Sequence, residues 1–219
     1  MIFYHAVRGS FGLFLKLFKG FTVEGRDKVP VTGPLLVCGN HVNWVDPVVL
    51  AYSTNRVVYF MAKQELFRGG FYARAYRALG AFPVKRGAVD RQALRRCLDL
   101  LREGHPVGIF PEGTRSRTGK LGQGEPGAAV IGLLTGALIA PVGISGYKQG
   151  RLVVRWGDPI DPRDYGDTDA RRDKRAVAAL THDLMVRIAE LSGQEPPPPA
   201  LDAATDAGDG AGTTRQADA

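Results

Sequence analysis

His41 and Asp46 stand five residues apart. At that spacing one carboxylate can accept the proton on one imidazole nitrogen, which leaves the other nitrogen free to take a proton from a hydroxyl. If the hydroxyl belongs to a substrate, the protein needs no serine or cysteine nucleophile of its own. The pair also has a complete structural alternative, in which Asp46, next to Pro47, caps a helix start. A second cluster is more specific. In Phe110-Pro-Glu-Gly-Thr-Arg-Ser116 a glycine lies close to an arginine. Gly113 permits close backbone approach, and the Arg115 guanidinium can hold a phosphate through two parallel hydrogen bonds. Glu112 cannot bind a phosphate itself and suits orienting Arg115 or a substrate hydroxyl. Arg86, beside Lys85, offers another cation. For Lys85, Arg117 and Lys120 the plainer reading is that they keep a loop solvated.

Such residues need a scaffold that brings them together. Short apolar runs at 35–38, 57–61, 81–84, 106–110, 138–144 and 151–156 read as strands. Helical patterns occupy 44–52, 64–79, 89–102, 127–135 and 169–191, the last closed by Ser192-Gly193. A Gly-rich polar loop spans 111–126. Strands that alternate with helices predict an α/β fold, with a largely parallel central sheet flanked by helices in one domain. Ligands of such sheets sit beyond the carboxyl ends of strands. Asn40-His41, Lys85-Arg86 and Glu112–Arg115 all follow predicted strands.

The two ends differ from this body. Residues 1–20 place Val7, Phe11, Phe14 and Phe18 at helical spacing among Arg8, Lys16 and Lys19. That pattern predicts a basic amphipathic helix lying in a membrane interface, or else a helix that covers the domain's own core. From Gln194 the composition turns to Pro, Ala, Gly and Asp, and 194–219 reads as a disordered tail of net charge −4. Against a whole-chain charge of +7, the remaining body carries +11, which suits an anionic partner. The 219 residues contain two cysteines, too few for a disulfide scaffold or a four-cysteine zinc site. Cys38 and Cys97 fit buried apolar positions, and His5, His105 and His182 are scattered. No apolar run is long enough to span a bilayer.

Four blocks then appear in order: Asn40-His41-x4-Asp46, Gly80-Ala-Phe-Pro-Val-Lys-Arg86, Phe110-Pro-Glu-Gly-Thr-Arg-Ser116 and Ala140-Pro-Val-Gly-Ile144. Over residues 21–191 the chain resembles the glycerolipid acyltransferase family, of the lysophosphatidic acid acyltransferase type. It departs at Asn43, where that family usually has serine or threonine. The resemblance implies His41 as general base and Asp46 as its orienting partner. It implies Arg86, Glu112, Gly113, Thr114 and Arg115 as contacts of a phosphorylated acceptor, and Pro141 as shaping the site near the acyl chain. It further implies direct attack of the acceptor hydroxyl on a thioester, either acyl-CoA or acyl carrier protein, with no acyl-enzyme, metal or organic cofactor.

The expected partners are a lysophospholipid, foremost 1-acyl-glycerol-3-phosphate, a thioester donor and an anionic membrane surface. The expected place is the cytoplasmic face of the plasma membrane, bound peripherally. A lyso-ornithine lipid or glycolipid acceptor keeps the same chemistry. A lipid-binding module without turnover would leave the His41–Asp46 pair unexplained. A nucleic-acid binder is suggested by charge alone, because no recognised motif accompanies it.

Overall fold

The computed structural model describes residues 20–85 and 90–198. Its strands are β1 (Thr22–Glu24), β2 (Leu35–Gly39), β3 (Tyr59–Lys63), β4 (Ala81–Val84), β5 (Pro106–Ile109), β6 (Leu138–Ser145) and β7 (Val153–Trp156). Its α-helices are α1 (Asp46–Ser53), α2 (Gly70–Ala78), α3 (Arg91–Arg102), α4 (Gly127–Thr135) and α5 (Lys174–Ser192). The strands form one sheet in the order β1-β7-β6-β2-β5-β3-β4. All neighbours are parallel except β6 and β7. The α/β reading with a largely parallel sheet is therefore correct, and the reversed β1–β7 pair forms one edge.

β2 is buried throughout because both of its faces are covered. Leu36 and Cys38 face a core closed by Cys97, Leu100 and Leu101 of α3, Ala128 and Ile131 of α4, and Leu180, Leu184 and Ile188 of α5. Leu35 and Val37 face a second core with Val49 and Leu50 of α1, Phe21 and Trp156. Both cysteines are buried free thiols, as their surroundings in the sequence suggested. Among the described residues no helix is long and apolar enough to cross a membrane.

Helix boundaries shift where local chemistry outweighs periodicity. The stretch expected as one helix over 64–79 is a 3-10 turn at Gln64–Phe67 followed by α2, broken at Gly69-Gly70. α3 starts at Arg91, because the Asp90 side chain caps it by accepting from the Gln92 and Ala93 amides. Asp173 caps α5 at Lys174 in the same way, after a separate 3-10 turn at Thr168–Arg172. β1 was not expected: three residues are too few for a periodic signal, and it exists through pairing with β7.

The amphipathic helix expected in 1–20 lies outside the described residues, apart from Gly20, and so does the tail from 199 on. Residues 194–198 are described. They make two hydrogen bonds to the 121–123 loop, from the Leu121 amide to Gln194 Oε1 and from Gln123 Nε2 to the Pro198 carbonyl.

Candidate active site

The strand order reverses direction at β2 and β5: from β2 the chain crosses to β3, and from β5 it crosses to β6 on the other side. The carboxyl ends of these two central strands open the crevice in which such sheets bind ligands. His41 follows β2, and the segment Phe110–Arg115 follows β5.

His41 is held through its Nδ1, its ring face, its amide and its carbonyl. Its Nδ1 lies 2.9 Å from Asp46 Oδ2. A carboxylate can only accept, so in the neutral ring the proton sits on Nδ1 and Nε2 keeps its lone pair. The imidazole stacks on Phe110, with ring centroids 4.0 Å apart and planes 17° from parallel. The His41 amide donates to Glu112 Oε1 at 2.8 Å, and its carbonyl accepts from the Ser116 amide at 2.8 Å.

Asp46 is fully buried at the first position of α1. Its Oδ2 also accepts from the amides of Val42 and Asn43, at 2.8 and 2.7 Å. Its Oδ1 accepts from the Tyr147 hydroxyl at 2.5 Å. The amides it satisfies lie before the helix, not in its first turn. The side chain therefore caps the β2–α1 turn and orients the imidazole with the same oxygen. Burial, and then the nearby Asp46 carboxylate, push the Tyr147 phenol far above its ordinary range, so it remains a donor.

Asn40, fully buried, completes the frame. It donates to the Ile144 carbonyl at 2.9 Å and accepts from the Ile144 amide at 2.7 Å, locking the end of β2 to β6.

His41 and Arg115 line one large cavity of about 680 Å³. Its other walls are mostly apolar: Pro47, Val48 and Ala51 from α1, Phe60 and Met61 from β3, Leu79, Ala81 and Val84 around β4, and Ile109 and Phe110 from the end of β5. Gly108 is needed here. A Cβ at that position would come within 2.0 Å of the Phe60 ring, which forms part of the wall. Lys63, at the carboxyl end of β3, lines the same cavity. Neither Lys63 nor Arg115 forms an ion pair among the described residues. The arrangement can place an apolar chain against the walls, an anionic group at the cations, and a hydroxyl at Nε2.

Gly113 lines the cavity and turns the loop at φ 67°, the left-handed region that favours glycine. Glu112 uses one oxygen on the His41 amide and the other on the Gly122 amide at 3.0 Å, so it ties the catalytic strand end to the loop. Thr114 is exposed beside Arg115 and is not part of the cavity wall. Pro141 is likewise absent from the wall. It is buried in β6 opposite Cys38, and its carbonyl accepts from the Gly157 amide. Its neighbours Ala140 and Val142 face the α1 side of the sheet, which turns Pro141 toward the α5 side.

Arg86 lies outside the described residues, but its flanks are joined, because the Lys85 amide donates to Asp90 Oδ2 at 2.8 Å. Among the described residues no group of three or more His, Cys, Asp or Glu side chains is gathered as a metal site requires. Tyr147, Lys63 and Phe110 were not singled out as functional in the sequence. Each lies at or just beyond the carboxyl end of a strand, and that position was the available signal.

A buried histidine–carboxylate pair at the carboxyl end of a central strand opens on a mostly apolar cavity with two cations, an arrangement suited to general-base chemistry on a hydroxyl. The chain belongs to the acyltransferase family, whose pattern matches residues 20–145 and so takes in all four sequence blocks. It is 28% identical over 190 residues to the 1-acyl-sn-glycerol-3-phosphate acyltransferase of Bacillus subtilis, covering 83% of this chain and 93% of that one. It is 29% identical over 174 residues to the enzyme of the same name from Streptococcus pneumoniae, covering 74% and 64%. Its fold is similar to the crystal structure of the 1-acyl-sn-glycerophosphate acyltransferase PlsC from Thermotoga maritima. The TM-score is 0.57 at 24% identity, over 73% of this chain and 71% of that one.

Proposed function

We propose that this acyltransferase moves a fatty acyl group from a thioester, acyl-CoA or acyl carrier protein, to the free hydroxyl of a lysophospholipid. The acceptor proposed first is 1-acyl-glycerol-3-phosphate, which would give phosphatidic acid. The observation that carries the reading is the pairing of His41 Nδ1 with buried Asp46 in the wall of the large, mostly apolar cavity.

His41 Nε2 takes the proton of the acceptor hydroxyl as its oxygen attacks the thioester carbonyl. The imidazolium that forms is stabilised by Asp46, which Tyr147 and two backbone amides hold in place. As the tetrahedral intermediate collapses, the C–S bond breaks and the proton on Nε2 passes to the leaving sulfur. The products are an ester and a free thiol, and His41 is neutral again. The step as drawn uses side chains alone, without metal or organic cofactor.

Arg115 and Lys63, which line the cavity, supply charge for the acceptor's phosphate, and the sequence block ending at Arg86 adds a further cation to that assignment. The names of the relatives favour a phosphorylated acceptor over a glycolipid. Trp44 is 73% exposed and Leu66 41% exposed, and both line the same cavity. Apolar side chains at its rim suit an entrance that faces lipid, with the enzyme held peripherally. The test is transfer by purified protein from each thioester donor to a panel of lyso-acceptors. Preference for 1-acyl-glycerol-3-phosphate supports the reading, and preference for an unphosphorylated acceptor moves the substrate to the glycolipid class.

A further inference from the structure

The chain beyond α5 returns to the loop that supports the catalytic base. Gln194 Oε1 accepts from the Leu121 amide at 2.7 Å. Gln123 Nε2 donates to the Pro198 carbonyl at 3.1 Å. Gly122, between those two anchored residues, donates its amide to Glu112 Oε2 at 3.0 Å, and Glu112 Oε1 accepts from the His41 amide at 2.8 Å. The loop also presses on α5, since a Cβ on Gly124 would come within 2.6 Å of Met185. The family pattern ends at residue 145, so the 194–198 side of this clamp comes from outside the matched region, while the loop it holds lies inside it.

We infer that Gln194 is a positioning residue for the acyl-transfer reaction: the 194–198 segment clamps residues 121–123, and through Gly122 and Glu112 it holds the backbone of His41 in register. The inference rests on His41 being the base. Glu112 can serve both amides only while Gly122 stays where it is. Releasing the clamp lets the loop move, and Glu112 then loses one of its two anchors. The loop keeps its other supports, the Glu125 amide on the Pro111 carbonyl at 2.7 Å and the contact with Met185. The expected effect is therefore partial, roughly 3- to 10-fold in kcat, as for one net hydrogen bond.

The test is a double-mutant cycle in the full chain between Gln194→Ala and Glu112→Ala, with Gln194→Glu, which keeps the accepting oxygen, as the rescue. Gln194→Ala should lower kcat while KM for both substrates stays close to wild type. It should speed amide hydrogen exchange at Leu121 and Gly122, and it should cause little further loss once Glu112 is gone. Gln194→Glu should restore most of the rate. Independent, multiplicative losses in the double variant, or unchanged exchange at Gly122, would overturn the clamp. Amide exchange reads the clamp without reference to turnover, whereas His41→Ala in the same assay reads the base, so failure of one is separable from failure of the other.

Discussion

Replacing Asp46 by Asn and by Ala separates the two tasks that one carboxylate performs. Asp46 accepts from His41 Nδ1, the Val42 and Asn43 amides and the Tyr147 hydroxyl, with no exposure to solvent. In Asp46→Asn the amide oxygen can replace Oδ2 toward the two backbone amides and the imidazole. The new NH2 then faces Tyr147, whose hydroxyl rotates to accept. The turn survives and the charge is lost. The imidazolium formed during transfer loses its counter-charge, so kcat should fall roughly 10²- to 10⁴-fold with Tm nearly unchanged.

Asp46→Ala instead strands the two amides, which are half-buried, so each costs about 1 kcal/mol, the low end of the range for a buried group without a partner. The combined loss of about 2 kcal/mol corresponds to a drop in Tm of roughly 4–8 °C for a chain of this size. Thiol release from the thioester donor measures kcat, and thermal unfolding measures Tm. Wild-type turnover in Asp46→Asn, or wild-type stability in Asp46→Ala, would refute this division of labour.

Tyr147→Phe should lower kcat by roughly 3- to 10-fold, because Asp46 Oδ1 loses its donor; steady-state kinetics checks it. Stability should decline on the alkaline side, measurable by denaturant unfolding against pH. Burial pushes the Cys97 thiol up to about 11 and the Cys38 thiol higher, so stability that is full below their unfolded value near 9 is lost as pH rises past it. The Cys38→Ala/Cys97→Ala double variant should postpone that decline. Arg115→Ala should raise KM for a phosphorylated acceptor by roughly 10- to 150-fold and leave KM for the thioester nearly unchanged; an equal rise for both would remove Arg115 from the phosphate.

The strand–helix alternation was legible because strands covered on both faces must be apolar throughout, as 35–38 and 138–144 are. The His41–Asp46 pair was legible because both residues lie on one short turn and a local contact survives in the spacing. What the sequence hid is long-range. Tyr147 reaches Asp46 across 101 positions and Asn40 reaches Ile144 across 104, and neither pairing leaves a periodic trace. Glu112 read as a substrate contact because its amide partners, at 41 and 122, are invisible without the fold. Pro141 sits in a fourth block, yet it is buried in β6 opposite Cys38 and is not in the cavity wall, and β1 is too short to signal itself.

The most direct test of the central claim is acyl transfer by His41→Ala beside wild type, with circular dichroism to establish that the variant is folded. Wild type should release one thiol for each diacyl product formed, and folded His41→Ala should lose transfer while still binding the acceptor. Wild-type-like turnover in folded His41→Ala would contradict it.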